Sequence, residues 1–195
     1  FGRQLSAIAD LLTILILYFI SARLYNRRTA LLAVAFSALA VMQVQQSHYY
    51  TVDLFMNPFM YAALYFAVRI AYDKHAPWEG QLDASSHVLR FFRDPLFLHS
   101  LFFGLFLGMA AASKINAVVM AVMLPIALLV RTIRKPSISD QPSDQDAEVD
   151  RQSFGTDAWL KLTIYLVAGG IATLLAFRIF QPYAFDGLLP SRQWL

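Results

Sequence analysis

The sequence predicts an all-α protein, a polytopic membrane bundle of about six transmembrane helices. Three observations carry that expectation. Of 195 residues, 58% are hydrophobic and only 15% charged, with a mean hydropathy of +0.51; a soluble domain has about a quarter of its residues charged. The apolar residues are gathered into long runs that carry almost no charge, and such runs match lipid rather than water. Short polar segments separate the runs, and the basic residues are distributed unevenly among those segments.

Residues 1–195 read as a single transmembrane domain, with spans at about 5–22, 29–46, 54–72, 95–112, 115–131 and 157–180. The first is interrupted by Asp10, which lies seven residues after Arg3 and so shares its helix face. A carboxylate at membrane depth needs a partner or a wet interior. Asp10 is therefore read as half of an Arg3–Asp10 or inter-helix pair, with a substrate role as the alternative. Arg23-Leu24-Tyr25-Asn26-Arg27-Arg28 leads into the second span, which ends in Gln43, Gln45 and Gln46. The polar island Ser47-His48-Tyr49-Tyr50-Thr51-Val52-Asp53 follows. The third span opens near Asn57-Pro58, which suits a helix N-terminus because proline is tolerated in the first turn. Residues 88–93 suit a short interfacial amphipathic helix.

Asp94-Pro95 is an N-cap followed by proline at the first helical position. It opens 36 residues of apolar chain, Pro95 to Val130. One helix of that length would measure about 54 Å, against a hydrocarbon core of about 30 Å. The polar break Ser113-Lys114-Ile115-Asn116 divides it into two spans, with a tight turn at Lys114. Residues 136–156 are acidic and contain Ser and Pro, and read as a cytoplasmic disordered linker. The last span leads into Gln181-Pro182-Tyr183-Ala184-Phe185.

Six spans put the loops on alternating sides. One side then holds twelve Lys or Arg, and the other holds four: Arg3, Lys114, Arg178 and Arg192. The positive-inside rule makes the first side cytoplasmic. Gly2-Arg3, the 47–53 island, Ser113–Asn116 and Arg178–Gly187 all fall on the opposite, extracytoplasmic side, and together read as one site. Snorkelling cations that merely mark helix ends are the alternative reading. There is no cysteine, which excludes disulfides and thiolate chemistry. No basic run is interleaved with aromatics, so nucleic acid is not an expected partner.

Four segments resemble the GT-C membrane glycosyltransferases, a superfamily that includes the protein mannosyltransferases and other polyprenyl-phosphate-sugar-dependent enzymes. They are Gly2-Arg3-x-x-Ser6-Ala7, the island Ser47–Asp53, Gly104-x-x-x-Gly108-x-Ala110-Ala111-Ala112-Ser113-Lys114-x-Asn116-Ala117, and Gln181-Pro182-Tyr183-Ala184-Phe185. The last segment also resembles very hydrophobic bacterial and archaeal relatives of unassigned function. The resemblance implies transfer of a sugar, with inversion, from a polyprenyl-phosphate donor to a glycan, lipid or protein acceptor. The implied setting is the extracytoplasmic face of the plasma membrane. In that reading Lys114, Arg178 and Arg3 hold the leaving phosphate, and Asp53 and His48 serve the chemistry. Tyr50, Gln181 and Tyr183 line the substrate. The polyprenyl-phosphate-linked sugar is the implied donor, and a divalent metal is compatible with the reading, although one histidine and one carboxylate are too few to define it. The family places its principal acidic base in a loop before its counterpart of the first span here, so that base is expected upstream of Phe1, in a longer protein. A transporter or a non-catalytic subunit of a membrane complex stands as the competing class. The sequence places its polar groups at one face rather than at mid-depth, which favours the enzyme.

Overall fold

The computed structural model describes residues 2–49, 51–72, 94–133, 146–186 and 189–190. Seven α-helices lie among the described residues: α1 (Gly2–Leu24), α2 (Arg27–Ala38), α3 (Val41–Ser47), α4 (Val52–Tyr72), α5 (Pro95–Ser113), α6 (Met123–Ile133) and α7 (Asp146–Phe180). A 3-10 segment, Ile115–Val122, precedes α6. A 3-10 turn at Pro182–Ala184 and the two-residue strands β1 (Phe185–Asp186) and β2 (Leu189–Pro190), paired antiparallel, follow α7. Among the described residues, five helical stretches are long and apolar enough to cross a membrane: Gly2–Leu24, Val52–Tyr72, Pro95–Ser113, Ile115–Ile133 and Leu162–Phe180.

The remaining span that the sequence predicts is broken, and neither of its two helices is long enough to cross a membrane. The sequence reads 29–46 as one span, but the helix stops at Ala38 and restarts at Val41, with Leu39 helical and Ala40 extended between them. No proline or glycine marks the break. Side chains hold it instead: Ser37 Oγ donates to Gln43 Oε1 at 2.8 Å, and Gln43 Nε2 donates to Asp10 Oδ1 on α1 at 2.6 Å. Of the two pairings expected for Asp10, the inter-helix one forms. Asn26 caps α2 by accepting from the Thr29 N–H at 2.9 Å. At the other end of the pair, Ser6 Oγ on α1 lies 3.4 Å from the Tyr49 carbonyl. The two helices therefore retrace α1 from its end to its beginning.

The remaining directions follow from paired contacts. Phe19, near the end of α1, meets Tyr65 in the second half of α4, and Ser6, near the start of α1, meets Tyr49 just before α4, so α1 and α4 run parallel. Asp53 meets Lys114, while Phe66 stacks on Phe102 and Phe106 at 5.2 and 5.7 Å, so α4 and α5 are antiparallel. Gly104 and Gly108 of α5 face Gly169 and Thr173 of α7, which makes those two helices parallel. A Cβ on Gly104 would stand 2.2 Å from the Gly169 carbonyl oxygen, so only glycine permits this approach. Close backbone packing is the means of association left to helices in lipid, where burying apolar surface gains little. The core gathers Ala63, Ala67 and Ile70 of α4, Leu96, Phe97, Phe103 and Leu107 of α5, Leu124, Ala127 and Leu128 of α6, and Tyr165 of α7. Outward residues such as Leu31, Phe36, Ile133 and Leu174 are large, apolar and exposed, as a lipid-facing surface requires.

Two further boundaries differ from the sequence reading. Helix α4 begins at Val52, so Pro58 sits in its second turn rather than its first; neighbouring helices make an interior proline tolerable in a membrane. Helix α7 begins at Asp146, inside the segment read as a linker, where Ala147, Glu148, Arg151 and Gln152 are good helix formers. Residues 88–93 and 136–145 lie outside the described residues. Asp94 caps α5 by accepting from the Leu96 N–H at 3.0 Å, with Pro95 at the first helical position.

Candidate functional site

The helix directions bring the starts of α1 and α4 and the ends of α3, α5 and α7 to one end of the bundle. The chain's cations divide accordingly. Arg23, Arg27, Arg28, Arg69 and Arg131 stand at the opposite end, and Arg3, Lys114 and Arg178 at this one. The register of α5 against α7 sets the level of the last segment. Gly108 faces Thr173 and Ala176, so Lys114, six residues on, comes level with Gln181-Pro182-Tyr183.

The nucleus of the site is an ion pair between helices. Lys114 Nζ donates to Asp53 Oδ1 at 2.5 Å, joining residues 61 apart in sequence. Each partner is placed by backbone: Asp53 in the first turn of α4, where a carboxylate suits the helix N-terminus, and Lys114 at the extended residue that ends α5. The Lys114 N–H closes the last turn of α5 on the Ala110 carbonyl at 2.9 Å. The two side chains are 42% and 41% exposed. Ion pairs this open contribute about 0–1 kcal/mol, so Lys114 can exchange Asp53 for another anion at little cost.

The other predicted residues surround this pair at a distance. His48 is exposed, and its Nδ1 lies 2.8 Å from the Val44 carbonyl. A carbonyl only accepts, so Nδ1 carries the proton and Nε2 is left as the acceptor nitrogen in the neutral ring. Arg3 and Arg178 are exposed, Gln181 is half-buried, and Tyr183 is 88% exposed. Among the described contacts, Arg3, His48, Gln181 and Tyr183 make no hydrogen bond to Asp53 or Lys114. Tyr50 lies outside the described residues. No group of three His, Asp or Glu side chains among the described residues converges as a metal site.

Three features escaped the sequence reading. Ser6 is fully buried and ties the 47–53 island to α1 through the Tyr49 carbonyl. Its signal was present in Gly2-Arg3-x-x-Ser6-Ala7, where a small hydroxyl sits on an apolar helix. Thr51 Oγ1, one residue before α4, is buried with no hydrogen-bond partner. An apolar cleft of about 360 Å³ lies between α5, the 3-10 segment with the start of α6, and α7, with Leu107, Val122, Pro125, Gly170 and Thr173 among its walls. No periodicity in one segment could have shown a cleft made by three.

No curated protein and no solved structure matches this chain. Residues 2–80 match the family described as dolichyl-phosphate-mannose-protein mannosyltransferase. The matched stretch runs through α1 to α4 and includes Asp53, Ser6 and the island between them. Over residues 2–80, then, the chain is similar to the dolichyl-phosphate-mannose-protein mannosyltransferases.

Proposed function

We propose that this chain transfers a sugar from a polyprenyl-phosphate donor to an acceptor hydroxyl, at the end of the bundle that holds Asp53 and Lys114. The observation that carries the reading is the exposed Lys114–Asp53 pair, at the end of the bundle that also holds Arg3, His48 and Arg178. The imbalance of twelve basic residues against four supports an extracytoplasmic setting for this end, at the plasma membrane.

In this reaction the acceptor oxygen attacks the anomeric carbon. The bond from that carbon to the phosphate oxygen breaks, and the phosphate leaves with the electron pair. Charge develops on the departing phosphate, where fixed cations stabilise it most. Lys114 is the cation set to turn from Asp53 to that phosphate, with Arg178 and Arg3 at the same end. Asp53, released from Lys114, faces the acceptor and orients its hydroxyl, whose proton passes to a carboxylate base. His48 offers Nε2 to the same polar zone. The apolar cleft beside α7 suits the hydrocarbon chain of the donor, and Tyr183 and Gln181 suit its sugar. Mid-depth polar groups favour the enzyme over a transporter: Asp10, Gln43 and Ser37 are committed to one another.

The test is sugar transfer in vesicles containing the full-length protein and a polyprenyl-phosphate sugar. Asp53→Ala and Lys114→Ala should each abolish transfer while inserting normally. Arg27→Ala, at the opposite end, should transfer like wild type. Normal transfer by both site variants would sink the assignment.

A further inference from the structure

The stretch from Lys114 to Pro125 is the most unusual backbone in the bundle. Eight consecutive residues, Ile115–Val122, wind as a 3-10 helix, a form whose runs rarely pass three or four residues. A proline stands just downstream. Pro125 is the third residue of α6; it has no N–H, and its ring crowds the carbonyl four residues earlier. That carbonyl belongs to Ala121 in the 3-10 segment, so the α-helical bond that would carry α6 back into that segment at this point is missing. The Met123 N–H turns instead to the Ala121 and Met120 carbonyls. Ile115, Val118, Val119 and Val122 are β-branched and add little α-helical preference. The three-residue period lines up Ala117, Met120 and Met123. Ala117 is buried, and the two methionines pack on the core, while Val119 and Val122 stay exposed.

The winding sets a length. At about 2.0 Å per residue against 1.5 Å, eight residues of 3-10 helix run about 4 Å longer than the same residues in an α-helix. Both ends of this crossing are tied to α4. Lys114 meets Asp53 at its start, and Arg131 Nη1 donates to the Ile70 carbonyl at 3.1 Å near its end. A change of about 4 Å between those anchors far exceeds the tolerance of a hydrogen bond.

We propose that Pro125 is a positioning residue: by holding Ile115–Val122 in the 3-10 form it sets the height of Lys114 against Asp53. The catalytic half of this inference rests on Lys114 being the phosphate cation, and the backbone half does not. Pro125 is exposed, so replacing it removes little packing within the bundle; because it also walls the apolar cleft, a raised donor KM supports the positioning role only when the backbone length changes with it.

The experiment uses the full-length protein in vesicles and the Pro125→Ala variant, in which alanine restores the N–H and favours the α-helix. The sequence has no cysteine, so cysteines placed at Ile115 and Ile133, both more than half exposed, can carry a pair of spin labels. Their separation is expected to shorten by about 3–4 Å in Pro125→Ala. Unlabelled Pro125→Ala is expected to lose about 10- to 100-fold in kcat/KM, mainly as a raised donor KM. Pro125→Gly restores the N–H without alanine's helix preference and should fall between the two. An unchanged separation overturns the backbone claim, and a shortened separation with unchanged donor KM overturns the positioning role. A wild-type protein that transfers no sugar removes the proposed reaction, while the separation still decides whether Pro125 sets this length.

Discussion

Gly104→Ala is the sharpest test of how the bundle is held together. The new Cβ would sit 2.2 Å from the Gly169 carbonyl oxygen and 2.8 Å from Ala172 Cβ. Carbon–oxygen contacts of this kind settle at about 3.3 Å or more, so α5 and α7 must part by about 1 Å. A gap of that size forfeits roughly a quarter to a half of the attraction between the atoms that line it. Overpacking of this kind costs about 1–3 kcal/mol. For a chain of this size each kcal/mol lowers the melting temperature by about 2–4 °C, so the expected fall is about 2–12 °C in detergent. Gly170→Ala is the internal control. A Cβ there meets nothing within 4 Å, and alanine is the better helix former by about 1 kcal/mol, so its melting temperature should hold or rise. Equal melting temperatures for the two variants would refute the α5–α7 packing, and with it the register that brings Gln181 level with Lys114.

Hydrogen bonds within the layer give two more expected outcomes. Gln43→Leu deprives Asp10 of its donor and should cost about 1–3 kcal/mol, whereas Asp10→Leu/Gln43→Leu, which removes both partners, should recover most of that in the same melting assay. Asp94→Ala removes both the α5 cap and the acceptor for the Tyr165 hydroxyl, and Tyr165→Phe removes only the second. The aspartate variant should therefore melt lower, the cap alone accounting for about 1 kcal/mol.

Long apolar runs made the crossings readable, because a run of that length leaves lipid as the natural solvent. Asp94-Pro95 and Lys114 were equally plain: an aspartate before proline caps a helix, and a lone cation in an apolar stretch must reach water at a helix end. The Asp53–Lys114 pair was legible only as two groups at one end. Their contact depends on the antiparallel register of α4 and α5, which no local pattern encodes. The break between Ala38 and Val41 was hidden because it is held by Ser37, Gln43 and Asp10 rather than by proline or glycine. Pro58 misled by the opposite route: it looked like a helix start, and packing against neighbours keeps it inside α4. Pro125 sat in view, but its consequence lies upstream, in the backbone it prevents from forming an α-helix.

The proposed reaction depends most on Lys114 acting as the cation for the donor's phosphate. The direct measurement is kcat/KM for a polyprenyl-phosphate sugar with wild type, Lys114→Ala and Arg27→Ala in the same vesicles. The expected result is a loss of about 10²- to 10³-fold for Lys114→Ala, the scale of removing one charge-stabilising donor, and no change for Arg27→Ala. Equal rates for wild type and Lys114→Ala, or an equal loss in the two variants, would contradict that role.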